Sequence, residues 1–242
     1  MPAVQSAATI VGLGKFEPDF FRLDSLVASR LLSGAEANRA KIEALLPSRV
    51  VHFTLPWGEL LVLGDRFQMT ATEAPFIRVA DLFIQAVKMM GERCNVQAFG
   101  VNYEAHFDVG SMAARDALAM RFAPPDAWGE WGRSVRASME SENAEVHGGL
   151  AILTMREAFR TGDICGWYDV SLSHSEKVPN SAGVRLAMNH HHEYAPRSTS
   201  SSEQPGAKDD ATRRTEAMLS ALVAEFDESI GKAERIFAEV LG

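Results

Sequence analysis

The sequence predicts an α+β fold, an antiparallel sheet of about eight to ten strands with helices packed on its faces. Two observations carry this expectation. Gly-Asp pairs punctuate apolar β-prone runs in both halves of the chain: Leu60 to Leu63 then Gly64-Asp65 then Phe67 to Thr70, and Ala151 to Phe159 then Gly162-Asp163 then Trp167 to Ser173. Each hairpin is followed, at unequal distances, by a long amphipathic helix. Together these suggest a loosely duplicated unit of order β-α-β-β-β-α, with halves of about 1–93 and 94–194 and a saddle-like sheet, although the two halves share no clear residue-level match.

In chain order, Thr9 to Leu13 is a short β-prone run. Ala35 to Leu46 has Ala37, Ile42, Leu45 and Leu46 at helical spacing, with Pro47 to stop it. Val50 to Leu55 and Glu59 to Leu63 read as strands around a Pro56-Trp57-Gly58 turn. Gly64 at the first central position suits the positive φ of a type II′ turn, which returns Arg66 to Thr72 antiparallel. From Phe76 to Met90 the apolar residues recur every three or four positions, the mark of a helix with one buried side. Asn95 to Val109 is a long strand, Ser111 caps a helix from Met112 to Phe122, and Pro124-Pro125 ends it. Arg133 to Ser141, Val146 to Phe159, Ile164 to His174 and Val184 to Tyr194 read as a four-stranded meander. Residues 195–210 are rich in Ser, Pro, Gly and charge, a linker between a 1–194 core and an amphipathic helix over 211–242.

At 242 residues, 46% hydrophobic and 23% charged, the chain has the composition of a globular protein. A net charge of −8 argues against a broad basic surface for nucleic acid or anionic lipid. The first residues lack a basic, apolar leader, and no stretch approaches a membrane span, so a cytoplasmic setting is expected. Cys94 and Cys165 stand far apart without a CxxC spacing and read as reduced thiols.

Chemistry-bearing patterns are sparse. Gly12-Leu13-Gly14-Lys15 lacks the spacer and the Ser/Thr of a phosphate loop, and Ser171, Ser173 and His174 stand in no nucleophile-elbow motif. Trp57, Trp128, Trp131 and Trp167 read as core packing ahead of a stacking platform. Arg133, Arg136, Arg156 and Arg160 concentrate positive charge if their segments pair. The most suggestive cluster is Asn189 to Tyr194, where alternation sets Asn189, His191 and Glu193 on one face and Met188, His190 and His192 on the other. Asn102, Glu104 and His106 share a face of the long strand. Were those strands neighbours, Glu104, His106, His191 and Glu193 would offer the ligand types that a divalent metal accepts; the plainer reading is a polar sheet surface.

Ile10 to Pro18, Asp65 to Thr70 followed by Pro75 to Leu82, and Ala98 to Phe107 resemble a family of uncharacterised bacterial proteins of about this size. The resemblance spans most of the first 190 residues. It implies a bacterial cytoplasmic protein and lends no catalytic residues.

The leading functional expectation is a non-catalytic protein-protein interaction or assembly subunit, without a cofactor, that binds itself or a protein partner through a sheet surface or the last helix. On that helix Leu219, Leu222, Phe226, Ile230 and Phe237 form the stripe a partner would cover, or the face that covers the chain's own sheet. The alternative is a metal-dependent hydrolase built on Glu104, His106, His191 and Glu193. A third reading is nucleic-acid binding by a curved sheet, which the acidic balance disfavours.

Overall fold

The structure, a computed structural model of the chain, describes residues 1–46, 49–141, 148–196 and 207–242. Its elements run β1 (Gln5–Lys15), α1 (Leu23–Ala28), α2 (Gly34–Arg39), β2 (Lys41–Leu46), β3 (Val50–Leu55), β4 (Gly58–Leu63), β5 (Arg66–Ala71) and α3 (Ile77–Met90). They continue β6 (Asn95–Asp108), α4 (Met112–Phe122), α5 (Gly129–Met139), β7 (Ile152–Thr161), β8 (Ile164–His174), β9 (Gly183–Tyr194) and α6 (Ala207–Leu241). The nine strands form one sheet in the order β2-β3-β4-β5-β1-β6-β9-β8-β7, and every neighbouring pair is antiparallel. The first five strands fill one end and the last four the other, meeting where β1 pairs with β6. The α+β antiparallel architecture is therefore as the sequence predicts, while each stretch carries two short helices, not one, after its first strand.

Strict alternation of burial along β3 and β5, and from Val184 to His192 of β9, shows that one face of the sheet is dry. That face carries the phenylalanines. Phe67 is fully buried, with Phe21 and Phe83 at ring-centroid distances of 4.7 Å and Phe16 at 5.8 Å. Gly12 on β1 makes room for this stack: a Cβ there would lie 2.5 Å from Phe83 Cζ. Gly12→Val is expected to cost about 1–3 kcal/mol by overpacking, read from the urea midpoint.

α6 lies on the same dry face, against β6, β9 and α3. Met218, Leu222, Phe226, Ala233 and Phe237 are buried, and Phe237 stacks on Tyr103 at 5.9 Å. At the other end, the α2 N-terminus is a capping box in which Ser33 and Glu36 satisfy each other's backbone amides. The Glu36 carboxylate also accepts hydrogen bonds from Trp57 Nε1 at 3.0 Å and from Arg78. Burial pushes this carboxyl up, but the Ser33 and Arg78 hydrogen bonds outweigh it and bring it down to about 2. Glu36→Gln is thus expected to lose about 1–2 kcal/mol at neutral pH. The difference from the parent should shrink as pH falls from 4.5 toward 2, because acid protonates the unfolded carboxyl first.

Three local expectations are corrected. Residues 41–46, read as the end of a helix, form edge strand β2. The register between β2 and β3 slips at Glu43, and the bulge puts Ile42 and Leu45 on one side, a three-residue spacing that imitates a helix. Residues 133–139, read as a strand, belong to α5. Gly64 does connect β4 to β5, but it is not among the glycines of positive φ, so the turn is not type II′; Gly162, at φ 59°, fits that description between β7 and β8.

Of the expected strand 146–159, residues 146–147 lie outside the described residues and β7 begins at Ile152. Of the expected linker, 197–206 lie outside them and 207–210 are helical. Among the described residues no helix is long and apolar enough to cross a membrane.

Candidate functional site

The expected metal ligands are brought to neighbouring strands and to one face but not to one place. β6 pairs with β9 so that His106 lies opposite Arg185 and His191 opposite Gly100. Six residues of strand therefore separate the two imidazoles, roughly 20 Å. Among the described residues no group of three or more His, Cys, Asp and Glu could hold a metal ion.

Three of the four expected ligands are otherwise engaged, and Glu193 is exposed near the end of β9. Glu104 accepts two hydrogen bonds from Arg185, at 2.7 and 2.9 Å, and one from Lys177 at 3.5 Å. Burial raises its pKa, but Arg185, Lys177 and His106 together outweigh burial and hold the carboxyl below its usual range. His191 stacks on Trp167 at 4.1 Å, and burial lowers its pKa.

His106 Nδ1 is 2.7 Å from Ser175 Oγ, and its Nε2 lies 3.6 Å from Glu104 Oε1. Ser, His and Glu in a row imitate a nucleophile, base and orienting acid. Here Ser175 is buried, its Oγ accepts the Lys177 N–H at 3.2 Å, and Glu104 is committed to Arg185. The set locks the turn after β8 to the sheet and offers no exposed nucleophile. Ser175 had no motif to announce it.

The other two histidines of the Asn189 to Tyr194 cluster, His190 and His192, lie on the dry face. Ser229 Oγ donates to the Glu225 carbonyl at 2.6 Å, so it accepts from His190 Nδ1–H, also at 2.6 Å. His190 Nε2 is then a bare lone pair, buried and unpartnered among the described residues, as is His192 Nε2. The two rings are 3.8 Å apart, with Phe99 stacked on His192 at 4.3 Å and Tyr168 on His190 at 3.9 Å. Burial, followed by His192, Lys232 and His191, pushes His190 down to about 2; burial and His191 take His192 down to about 4. This is a neutral, aromatic-like part of the core.

The remaining tryptophans and arginines divide in an unexpected way. Trp57 is buried, as predicted, but Trp128 and Trp131 are mostly exposed, 5.6 Å apart. Arg133 and Arg136 lie on α5 while Arg156 and Arg160 lie on β7, so the strand pairing that would have gathered them does not form; Arg136 pairs with Asp126, and Arg156 pairs with Asp169 while lying over Trp167. Cys94 is buried, its thiol raised to about 11 by desolvation, and Cys165 is half-buried; both are free.

What the register does assemble is a row. Lys41, Thr54, Glu59 and Thr70 lie opposite one another across β2 to β5. Thr70 faces Thr9, which faces Asn102, then Asn189, Asp169 and Arg156 on the far edge. One polar residue from each of the nine strands thus crosses the whole sheet, on the face turned away from α3 and α6, and every one is half-exposed or exposed. The flanks are internally satisfied: Thr9 bonds Thr70 at 2.9 Å, and Arg156 holds Asp169 through bonds of 2.6 and 2.7 Å.

The centre differs. The Asn102 and Asn189 carboxamides lie beside Gly100, where a Cβ would sit 2.9 Å from Asn189 Oδ1. A hollow of about 250 Å³ opens beside them, lined also by Thr9, Ser171, Ala187 and Arg185. The sequence showed Asn102 and Asn189 as polar strand positions, but only the register aligns them. No protein-family model matches the chain, and no curated protein is significantly similar to it.

Proposed function

We propose that this chain is a non-catalytic binding protein whose uncovered sheet face docks a protein partner. The observation that carries the reading is the polar row across all nine strands, with two carboxamides at its centre on a face that, among the described residues, no long helix covers. Carboxamides donate and accept hydrogen bonds without charge, the chemistry suited to another chain's backbone and polar side chains. At about 250 Å³ the hollow is smaller than the roughly 300–1,000 Å³ of pockets that enclose small substrates, which favours a broad surface partner.

Arg156 and Arg185 on this face are each neutralised by a carboxylate, so a surface that tracks phosphates is disfavoured, in line with the net charge of −8. A metal-dependent hydrolase is disfavoured by the distance between His106 and His191. The test is co-purification from the native host with a tagged chain. A complex kept by the parent and by Val223→Glu on the exposed side of α6, and lost at least tenfold in Asn102→Arg/Asn189→Arg, is the expected result. A complex unchanged in the sheet-face variant overturns the reading.

A further inference from the structure

β2 closes one edge of the sheet, and three of its six side chains are large, apolar and exposed: Ile42 at 55%, Leu45 at 48% and Leu46 at 57%. Natural edges are usually blunted by an outward charge or a proline. Here Glu43 is exposed but reaches back across the sheet to accept a hydrogen bond from Thr54 Oγ1 at 3.0 Å, and the strand's other charge, Lys41, stands at its first position, leaving the rest of the edge apolar. Among the described residues no strand pairs with the outer side of β2.

The bulge at Glu43 gives this edge a particular symmetry. Lys41 lies opposite Thr54 and Ile42 opposite Phe53, yet Ala44 lies opposite His52 and Leu45 opposite Val51. Phe53 and Val51 are buried on the helix-covered side. Ile42 and Leu45 therefore share that side, while Lys41, Ala44 and Leu46 share the open one. Read from either end, the strand presents open, covered, two central residues, covered, open.

We propose that β2 pairs antiparallel with β2 of a second copy of this chain, about a two-fold axis perpendicular to the sheet. Such an axis keeps like faces on the same side, and the bulge lets residues of like facing meet: Ile42 opposite the partner's Leu45, and Lys41 opposite the partner's Leu46. No like charges are opposed. Lys41 meets a leucine, and Glu43 meets the partner's Ala44 with its carboxylate held back by Thr54. The four covered-side apolar chains gather beside a groove of about 620 Å³ between β2, β3 and the 3-10 turn at Pro18–Phe20. Pro18, Leu23 and Phe53 line it beside the charged Asp19, Arg22 and Asp24. The two uncovered faces then run on as one surface.

Light scattering on the eluting peak tests this. The parent chain is expected at twice 26.4 kDa, falling to 26.4 kDa on dilution. Ile42→Lys/Leu45→Lys and Ile42→Glu/Leu45→Glu are each expected at 26.4 kDa alone, and an equimolar mixture should recover the doubled mass, with unchanged circular dichroism throughout. A parent that stays at 26.4 kDa at every concentration overturns the proposal, as does a doubled mass that survives in the lysine pair. Should the variants fail to fold, hydrogen exchange on the parent decides: amides of residues 41–46 gain protection with concentration if β2 pairs, and exchange is concentration-independent if it does not. A parent that stays monomeric but protects these amides on adding an extended apolar peptide would replace the second copy with a different occupant, and would also overturn the proposal. The Asn102→Arg/Asn189→Arg chain should dimerise as the parent does, so this contact and the docking face fail separately.

Discussion

Lowering the pH from 6.5 to 5 is expected to remove about 3 kcal/mol of folding stability through His190 and His192 alone. Unfolded imidazoles titrate near 6.5, whereas the folded ones are held down to about 2 and about 4. Acid therefore protonates the unfolded chain first; the stabilisation is complete above pH 6.5 and drains away as the pH falls toward the folded values. The groups around the pair reinforce this. Lys232 on α6 sits 3.4 Å from the Tyr168 ring centre beside His190, and its charge opposes a second cation there. Phe99 and Phe159 supply no acceptor for a new N–H. His106, also lowered chiefly by burial, adds a loss of the same sign. Urea melts at half-unit pH steps measure the slope, and His192→Phe, which keeps a ring on Phe99, should remove close to half of it. A stability that is flat between pH 6.5 and 5 would contradict the neutral buried pair.

Phe226→Ala is expected to cost about 3–5 kcal/mol, a large part of the roughly 5–15 kcal/mol that holds most domains together. Phe226 is 1% exposed, in the same core as Phe99 and Met188, and belongs to the stripe expected to serve a partner. Leu219, Leu222 and Phe237 are buried with it, and Ile230 packs against the core from a half-buried position. In this structure the stripe is covered by the chain's own sheet, so docking through it would first require α6 to leave. Ending the chain at residue 194 should accordingly abolish cooperative unfolding and expose apolar surface, and should not yield a soluble monomer. Thermal melts of both proteins are the measurement; a cooperative transition within a few degrees of the parent would show that α6 is dispensable to the core.

How much of this was legible depended on whether a feature is local. β8, α4 and the Ser111 cap are local, and their residues declare them: Ser111 Oγ accepts the Ala114 N–H at 3.1 Å, as a Ser before a helix should. Alternation correctly set His190 and His192 apart from His191, because the period of a strand is fixed by its pleat. The errors came where a local irregularity altered that period. The Glu43 bulge moved Leu45 onto the side of Ile42 and made a strand scan as a helix. In α5, Val135, Ala137 and Met139 alternate by accident on a helix whose Trp131 is exposed. The site was illegible for a stronger reason: a row across nine strands is a property of eight registers. A shift of one pair would take Asn102 away from Asn189, or bring His106 toward His191, with no change in any single strand.

The most direct measurement of the central claim is photo-crosslinking in the native host from a reactive residue placed at Asn102, beside the same probe at Val223 on the exposed side of α6. Asn102 lies at the middle of the polar row, and Val223 is 65% exposed on the opposite side of the molecule's sheet. The account predicts one discrete protein adduct from position 102 and none from position 223. An adduct from position 223 with none from position 102 would place the partner on the helices and contradict docking on the sheet.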